Sequence, residues 1–351
     1  MYTAMNPMTM RRGVSIVIMC AAVLAYGLIR LHTAPANLSA NALDAPSPGS
    51  ASGNLSIITE PDQGIAPVIA MIKAASSSVD LVMYELEDTN VEQALAADAA
   101  RGVTVRVLLN SGYYGKHESA DNDAAYQYLS SNGVSVHWTP AYFALTHQKS
   151  LIVDGVTLLV MTMNLTPQYY ASSREFNIVD TNQDDVSAAE SAFDDDWNAN
   201  EMAAGNGDDL LWSPGAENAL LALINGAQKS LDIYNEEMAD TKVTSALADA
   251  ANRGVAVRID MTYSSEWKTA FAGLVQAGAS VRTYAANARL YIHAKVIVAD
   301  DTRAYVGSQN FSSGSLQKNR ELGIVVTDPS IIGSIEGTFE KDWAGATAFS
   351  L

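Results

Sequence analysis

His147 and His293 each stand two positions before a lysine, and each is followed at matching distances by an aspartate, an asparagine and a glutamate. One set is His147, Lys149, Asp154, Asn164 and Glu175; the other is His293, Lys295, Asp300, Asn310 and Glu321, every member displaced by 146 positions. Only five histidines occur in the chain, and two of them hold equivalent places. These residue types suit attack on an anionic ester. A phosphodiester repels nucleophiles until its nonbridging oxygens are neutralised, and Lys149, Lys295, Asn164 and Asn310 offer converging donors for that task. One imidazole can then attack phosphorus to form a phosphohistidine, while the other, protonated, supplies the proton that a departing alkoxide needs. In the second step that acid, now a base, takes a proton from water or an alcohol. Asp154-Gly155 and Asp300-Asp301 fall where a strand meets a turn, which suits Asp154 and Asp300 to a structural, hydrogen-bonded or ion-paired role.

The elements that must hold these groups also recur. Apolar runs follow each histidine and lysine, Ser150 to Val153 and Val296 to Ala299, so each pair is expected on one face of a strand, where side chains alternate. Earlier, Val79-Asp80-Leu81 through Arg101-Gly102-Val103-Thr104-Val105-Arg106-Val107 returns as Leu231-Asp232-Ile233 through Arg253-Gly254-Val255-Ala256-Val257-Arg258-Ile259, displaced by 152. Val91, Ala94, Leu95 and Ala99 keep helical spacing and match Val243, Ala246, Leu247 and Ala251, whereas Val103, Val105 and Val107 alternate as a strand does. Each half therefore opens strand, helix, strand, the pattern of an α/β fold with right-handed crossovers and a parallel or mixed sheet flanked by helices. The repeat continues to Phe193/Phe339 and Trp197/Trp343, and Glu201 to Asp209, with Gly205, Asn206 and Gly207, reads as the junction. The expected organisation is residues 1–32 as a signal peptide or single membrane anchor, 33–54 as a flexible Ala/Pro/Ser/Asn linker, 55–204 as one lobe and 205–351 as the other.

The duplicated pattern resembles the phospholipase D superfamily, whose motif is His-x-Lys-x-x-x-x-Asp followed by Gly-Ser-x-Asn, present twice per active site. The resemblance covers about residues 55 to 345. The second copy is complete in His293, Lys295, Asp300, Gly307, Ser308 and Asn310, whereas Met161 and Thr162 replace Gly and Ser in the first. The resemblance implies two homologous lobes related by pseudo-two-fold symmetry around one shared site, with Ser308 as a structural motif residue. It also implies His147 as nucleophile, His293 as acid, and Glu175 and Glu321 as carboxylates that bond the second ring nitrogen and fix the tautomer. The two copies are symmetric in sequence and do not themselves separate nucleophile from acid. No cofactor and no metal are called for by this chemistry.

Charge narrows the substrate. All 39 acidic residues lie beyond position 43, and beyond it stand 18 of the 21 basic ones, so the body carries a formal charge of −21. Polynucleotides present many phosphates to the surrounding surface and would meet net repulsion, whereas a lipid head group presents one phosphodiester to the pocket. Phospholipid at a membrane surface is the expected partner, nucleic acid is disfavoured, and the repeat implies a monomer that is internally a pseudo-dimer. Arg11 and Arg12 precede an apolar run, Gly13 to Ile29, so export is expected, to the periplasm or beyond, with that run as tether if it is retained. The lone cysteine, Cys20, lies inside it and excludes disulfide scaffolds and cysteine metal sites. Tyr113-Tyr114, Tyr169-Tyr170, Trp138, Tyr142 and Phe143 suit an apolar rim for acyl chains, core packing or base stacking. Asp194-Asp195-Asp196 reads as a solvated helix face, since it lacks the spaced carboxylates of a calcium loop. The first reading is a phospholipase D-like phosphodiesterase; the others are a nuclease of the same superfamily, a cardiolipin synthase-like phosphatidyl transferase, and a noncatalytic lipid- or partner-binding module.

Overall fold

The structure, a computed structural model, describes residues 54–111 and 122–351. The N-terminal apolar run with Cys20, the linker up to Gly53, and Tyr113-Tyr114 lie outside the described residues. The first half runs β1 (Leu55–Glu60), α1 (Ala66–Ala74), β2 (Ser78–Met83), α2 (Thr89–Ala100), β3 (Thr104–Leu109), α3 (Asp123–Ser131), β4 (Ser135–Trp138), β5 (Ser150–Val153), β6 (Thr157–Met161), β7 (Ser173–Asp180) and α4 (Gln183–Trp197). Glu201–Asp209, without helix or strand, leads into the second half. That half runs β8 (Leu210–Ser213), α5 (Ala216–Gly226), β9 (Ser230–Tyr234), α6 (Thr241–Asn252), β10 (Ala256–Thr262), α7 (Lys268–Gln276), β11 (Ser280–Tyr284), β12 (Tyr291–Ile292), β13 (Lys295–Ala299), β14 (Arg303–Gly307), α8 (Ser313–Gln317), β15 (Glu321–Val326), α9 (Pro329–Gly345) and β16 (Thr347–Ala348).

Local chemistry explains the repeated openings. Asp88 and Asp240 cap α2 and α6 by accepting backbone N–H groups of Asn90 and of Lys242 and Val243. Both helices end at Arg-Gly, where Gly102 and Gly254 take φ of +94° and +92°, a left-handed turn that glycine adopts without a side-chain clash. The next strand then pairs parallel to the one before the helix, β2 with β3 and β9 with β10. The two sheets are mixed, with order β1-β7-β6-β5-β2-β3-β4 in one and β16-β11-β10-β9-β13-β14-β15-β8 in the other. Strands β5 and β13, which follow the histidines, lie mid-sheet, antiparallel to β2 and β9. Their first residues thus stand beside the segments that leave β2 and β9.

Among the described residues the three largest apolar cores follow from this arrangement, and a small fourth joins Val82 and Leu108 to Phe193 of α4. Two lie between a sheet and its own helices, around Ile72, Leu95 and Leu129 in one half and Leu220, Leu247 and Phe271 in the other. A third is shared, with Val160, Phe176 and Ile178 of one sheet meeting Tyr234, Val306 and Ile324 of the other, together with Phe339 of α9. Helices α4 and α9 are fastened alike: Arg106 pairs with Asp80 and Asp194 and lies over Phe193, while Arg258 pairs with Asp232 and Glu340 and lies over Phe339. One strand crosses between halves, β12, which adds to the first sheet parallel to β7.

Candidate active site

Strand pairing brings the two histidines to the boundary between the sheets. His147 lies just before β5, and its N–H donates to the carbonyl of Arg320 in the other half. His293 lies between β12 and β13 and packs alongside β7, since the N–H of Ala294 donates to the carbonyl of Arg174. Neither histidine lies within the regular strand that alternation alone predicts: His147 stands three residues before β5 begins at Ser150, and His293 two before β13 begins at Lys295.

The ring contacts cross the boundary. His147 Nδ1 lies 3.0 Å from Oε2 of Glu321, and His293 Nδ1 lies 2.6 Å from Oε1 of Glu175. A carboxylate only accepts, so each Nδ1 carries a proton and each Nε2 is left for chemistry. The carboxylates are held in turn. Thr162 Oγ1 donates to Glu175 at 2.6 Å, while Ser315 Oγ and Asn319 Nδ2 donate to the second oxygen of Glu321 at 2.5 and 3.1 Å. Burial opposes the charge of Glu321, yet His147 and Lys149 hold its carboxyl below the usual range. His147 itself is lowered to about 4 by burial and by the neighbouring Lys149 ammonium, so it is neutral at pH 7.

Lys149 and Lys295 are fully buried. Each Nζ turns back to donate to the carbonyl of its own histidine at 2.6 Å, which fixes it beside the imidazole. Burial and the nearby Lys295 pull Lys149 below the ordinary lysine value. Here the symmetry ends. Lys295 also contacts Glu236 Oε2 at 3.1 Å, and the same oxygen lies 3.5 Å from His293 Nε2 and 3.3 Å from Asn310 Nδ2. Tyr291 OH donates to its partner oxygen at 2.9 Å. The corresponding place beside Lys149 is taken by the ring of Tyr84, whose face Lys149 approaches at 5.0 Å and against which His147 packs edge-on at 4.7 Å. Asn164 Nδ2 donates to Glu85 at 3.0 Å. Each of the two asparagines, expected as phosphate donors, thus has an amide N–H committed to a carboxylate. Burial works against the charge of Glu236, yet Lys295 and His293 hold it well below the usual carboxylate range, whereas burial pushes Glu85 up to about 7 against the pull of Lys149.

The repeat does not pair Glu85 with Glu236, because the 152-residue displacement sets Glu85 opposite Glu237 and Tyr84 opposite Glu236. Arg174 and Arg320 were legible, since both precede the site glutamates at the common displacement of 146. Arg174 of the first half binds Asp342 of α9 at 2.6 Å, and Arg320 of the second binds Asp196 of α4 at 2.7 Å. Asp196 is thus buried and ion-paired, which corrects the expectation of a solvated acidic face; the neighbouring Asp194 does sit on the exterior, bound to Arg106.

The remaining motif residues form the frame. Asp154 and Asp300 adopt φ of +57° and +55°. The Asp154 carboxylate accepts from the backbone N–H groups of Ser76, Ser77 and Ser78 and from the hydroxyls of Ser76 and Ser77; Asp300 accepts from the N–H groups of Gln228, Lys229 and Ser230. Each ties the end of its motif strand to the start of β2 or β9, away from the histidines. Ser308 exchanges hydrogen bonds with Leu322 on β15, and its carbonyl lies 3.1 Å from His147 Nδ1. Gly307 is required because a Cβ there would strike the Tyr305 hydroxyl and the backbone of Gly323. In the first copy Leu159 stands for Tyr305, so Met161 is accommodated where the second copy needs glycine.

Trp138 stacks on Tyr126, Phe143 lies over Arg320, Tyr142 OH donates to the Asn200 carbonyl, and Tyr170 OH donates to Asp88. Among the described residues no helix is long and apolar enough to cross a membrane, and no group of three or more His, Cys, Asp or Glu side chains is arranged to hold a metal ion.

The family described as cardiolipin synthase, PLD-like domain, matches residues 68–197 and again 220–343. Cardiolipin synthase 1 of Bacillus cereus is 24% identical over 349 residues, covering 83% of this chain, and the match spans 66% of that protein's length. Phospholipase D Z of Dictyostelium discoideum is 34% identical over 134 residues, which cover 36% of this chain and 29% of that protein. Among solved structures, phosphatidylserine synthase from Haemophilus influenzae Rd KW20 shares the fold with a TM-score of 0.67 at 12% identity, covering 85% of this chain and 88% of the other. With both halves matched by one family and both sets of motif residues meeting at their boundary, the chain belongs to the phospholipase D superfamily as a duplicated, two-lobed α/β protein.

Proposed function

We propose that the protein cleaves phosphodiesters of phospholipids at a membrane surface through a covalent phosphohistidine, passing the phosphatidyl group to water. The observation that carries this reading is the pair of crossed contacts, His147 to Glu321 and His293 to Glu175, which leave two Nε2 atoms beside two buried lysines. Surroundings divide the roles. His147, neutral and flanked by ammonium groups, has a free electron pair on Nε2; His293 has a carboxylate on each side, Glu175 at Nδ1 and Glu236 at 3.5 Å from Nε2, and we assign it the acid's role by that placement. In the first step Nε2 of His147 bonds to phosphorus as the head-group oxygen leaves and takes the proton from His293 Nε2. Lys149 and Lys295 meet the charge on the nonbridging oxygens. In the second, water gives a proton to His293 and its oxygen to phosphorus, releasing phosphatidate and restoring His147.

Transfer to an alcohol is a second reading, supported by the similarity to a cardiolipin synthase; it uses the same intermediate with a lipid or small alcohol in place of water. Purified protein should release head group from phospholipid dispersions, and an added primary alcohol should divert product to a phosphatidyl-alcohol. His147→Ala and His293→Ala should each lower turnover by about 100-fold or more, with [32P] label from head-group-cleaved lipid trapped on His147 and absent from His147→Ala. Retention of a tenth of wild-type turnover by either variant refutes the shared site. Product that forms only when alcohol is present establishes the transferase over the hydrolase.

A further inference from the structure

The phosphate-binding groups are bordered by more negative charge than their own neutralisation requires. Lys149 and Lys295 stand among carboxylates of two kinds: Glu175 and Glu321, which serve the histidines, and Glu85 and Glu236, which do not touch either Nδ1; the charge of Lys295 also reaches Glu237. Glu85 and Glu236 leave the ends of β2 and β9, one from each half, and they are close enough for the charge of Glu236 to raise the Glu85 carboxyl. Their companions are acceptors as well. The side-chain oxygens of Asn164 and Asn310 are buried without a hydrogen-bond donor, although the amide nitrogens of both residues are held by these same two glutamates. Tyr169, four residues before Ser173 of β7, is 48% exposed and lies within reach of the charges of Glu85, Glu87 and Glu236, which with burial raise its phenol. Partly exposed carboxylates, unused amide oxygens and an open aromatic ring are together a poor setting for a second anion. They suit an ammonium, which donates to oxygen, pairs with carboxylate and is attracted to a ring face.

We propose that Glu85 and Glu236, with Tyr169, form a subsite for a cationic leaving group, so that the preferred phosphodiester carries an ammonium one short link from its phosphate. This rests on the phosphodiesterase reading of the same site. The phosphate of such a substrate takes the lysines and histidines, while its ammonium replaces the lysine as counter-ion to Glu236 and meets Glu85, which ionises fully with a cation beside it. Head groups that end in a hydroxyl offer no charge in exchange, and a second phosphate is repelled. The formal charge of −21 on the body beyond position 43 acts in the same direction at longer range.

The test is a ratio measured within each protein, which cancels any catalytic loss common to both substrates. The purified full chain, wild type, Glu236→Gln and Glu85→Gln, is assayed on phosphatidylethanolamine and phosphatidylglycerol of identical acyl chains in neutral detergent micelles. Glutamine keeps an oxygen for Lys295 and removes the charge, but turns the oxygen that accepts from Tyr291 into an amide donor. Wild type should favour the ethanolamine lipid in kcat/KM, and either variant should reduce that preference by about tenfold, equivalent to about 1.4 kcal/mol, chiefly through KM for the ethanolamine lipid. An unchanged ratio in both variants, or a wild-type preference for the glycerol lipid or for an oligonucleotide, overturns the proposal. Circular dichroism checks each fold, and if Glu236→Gln is unfolded the ratio in Glu85→Gln decides. Bis(p-nitrophenyl) phosphate separates the two levels of argument: its cleavage, lost in His147→Ala, with no head-group preference sinks the subsite and leaves the phosphodiesterase, whereas no cleavage of any diester sinks both.

Discussion

His147 and His293 occupy matching backbone positions, yet one ring abuts Tyr84 and two ammonium groups while the other lies between two carboxylates. That difference should be visible in the pH profile. The nucleophile must be unprotonated, so kcat/KM falls as pH drops through the His147 value, which burial and Lys149 lower to about 4. The acid limb should therefore lie well below the ordinary histidine value of about 6.5, with the alkaline limb reporting loss of the proton on the general acid. An acid limb at 6.5 or above, read from initial rates on a soluble diester, contradicts the assignment of His147. The ten motif residues were legible from spacing because duplication repeats them. The asymmetry was not, since Glu236 and Tyr84 acquire their roles only when antiparallel pairing sets the ends of β9 and β2 beside Lys295 and Lys149. No periodicity records that.

At the scale of elements, the ends of the motif strands are fixed by Asp154 and Asp300. Asp154 receives five N–H and O–H donors from three consecutive serines while its own backbone is left-handed. Asp154→Ala loses those bonds and puts a strained alanine at positive φ, so it should destabilise the first half by about 2 kcal/mol in urea unfolding. Asp154→Asn, which tolerates that backbone and keeps one acceptor, should lose less. Hydrogen bonding holds the Asp154 carboxyl well below the usual range against the effect of desolvation. Its stabilisation is therefore present above the unfolded value of about 3.9 and is lost as pH falls through the folded value; the gap between wild type and Asp154→Ala should persist at pH 5 and begin to close below about pH 4. A constant gap down to pH 2 argues against this role. Strands and helices of both openings followed from alternation, caps and Arg-Gly turns. What sequence reasoning could not supply was β12 joining the other half's sheet, because a two-residue strand has no pattern of its own, and the burial of Asp196, whose partner Arg320 is 124 positions away.

For the whole molecule, the halves are joined by reciprocal contacts: two histidine–carboxylate pairs and two buried arginine–aspartate pairs, each running from one half to the other. Arg174→Ala leaves Asp342 buried beside Tyr234 without its counter-ion. It should cost about 3–5 kcal/mol and reduce kcat as well, because Arg174 adjoins Glu175 and its carbonyl receives the N–H next to His293. Arg174→Lys should recover part of the stability; a thermal midpoint unchanged by Arg174→Ala would show the halves to be held by their shared apolar core alone. The crossed carboxylates carry a further consequence for how such a site can change over time. Were the two halves separate copies of one gene product, every substitution would appear on both sides, and each histidine would meet the same neighbours. Joined in one chain, the copies are free to drift apart, and a tyrosine on one side can face a glutamate on the other. Covalent linkage thus turns two interchangeable histidines into two that can specialise.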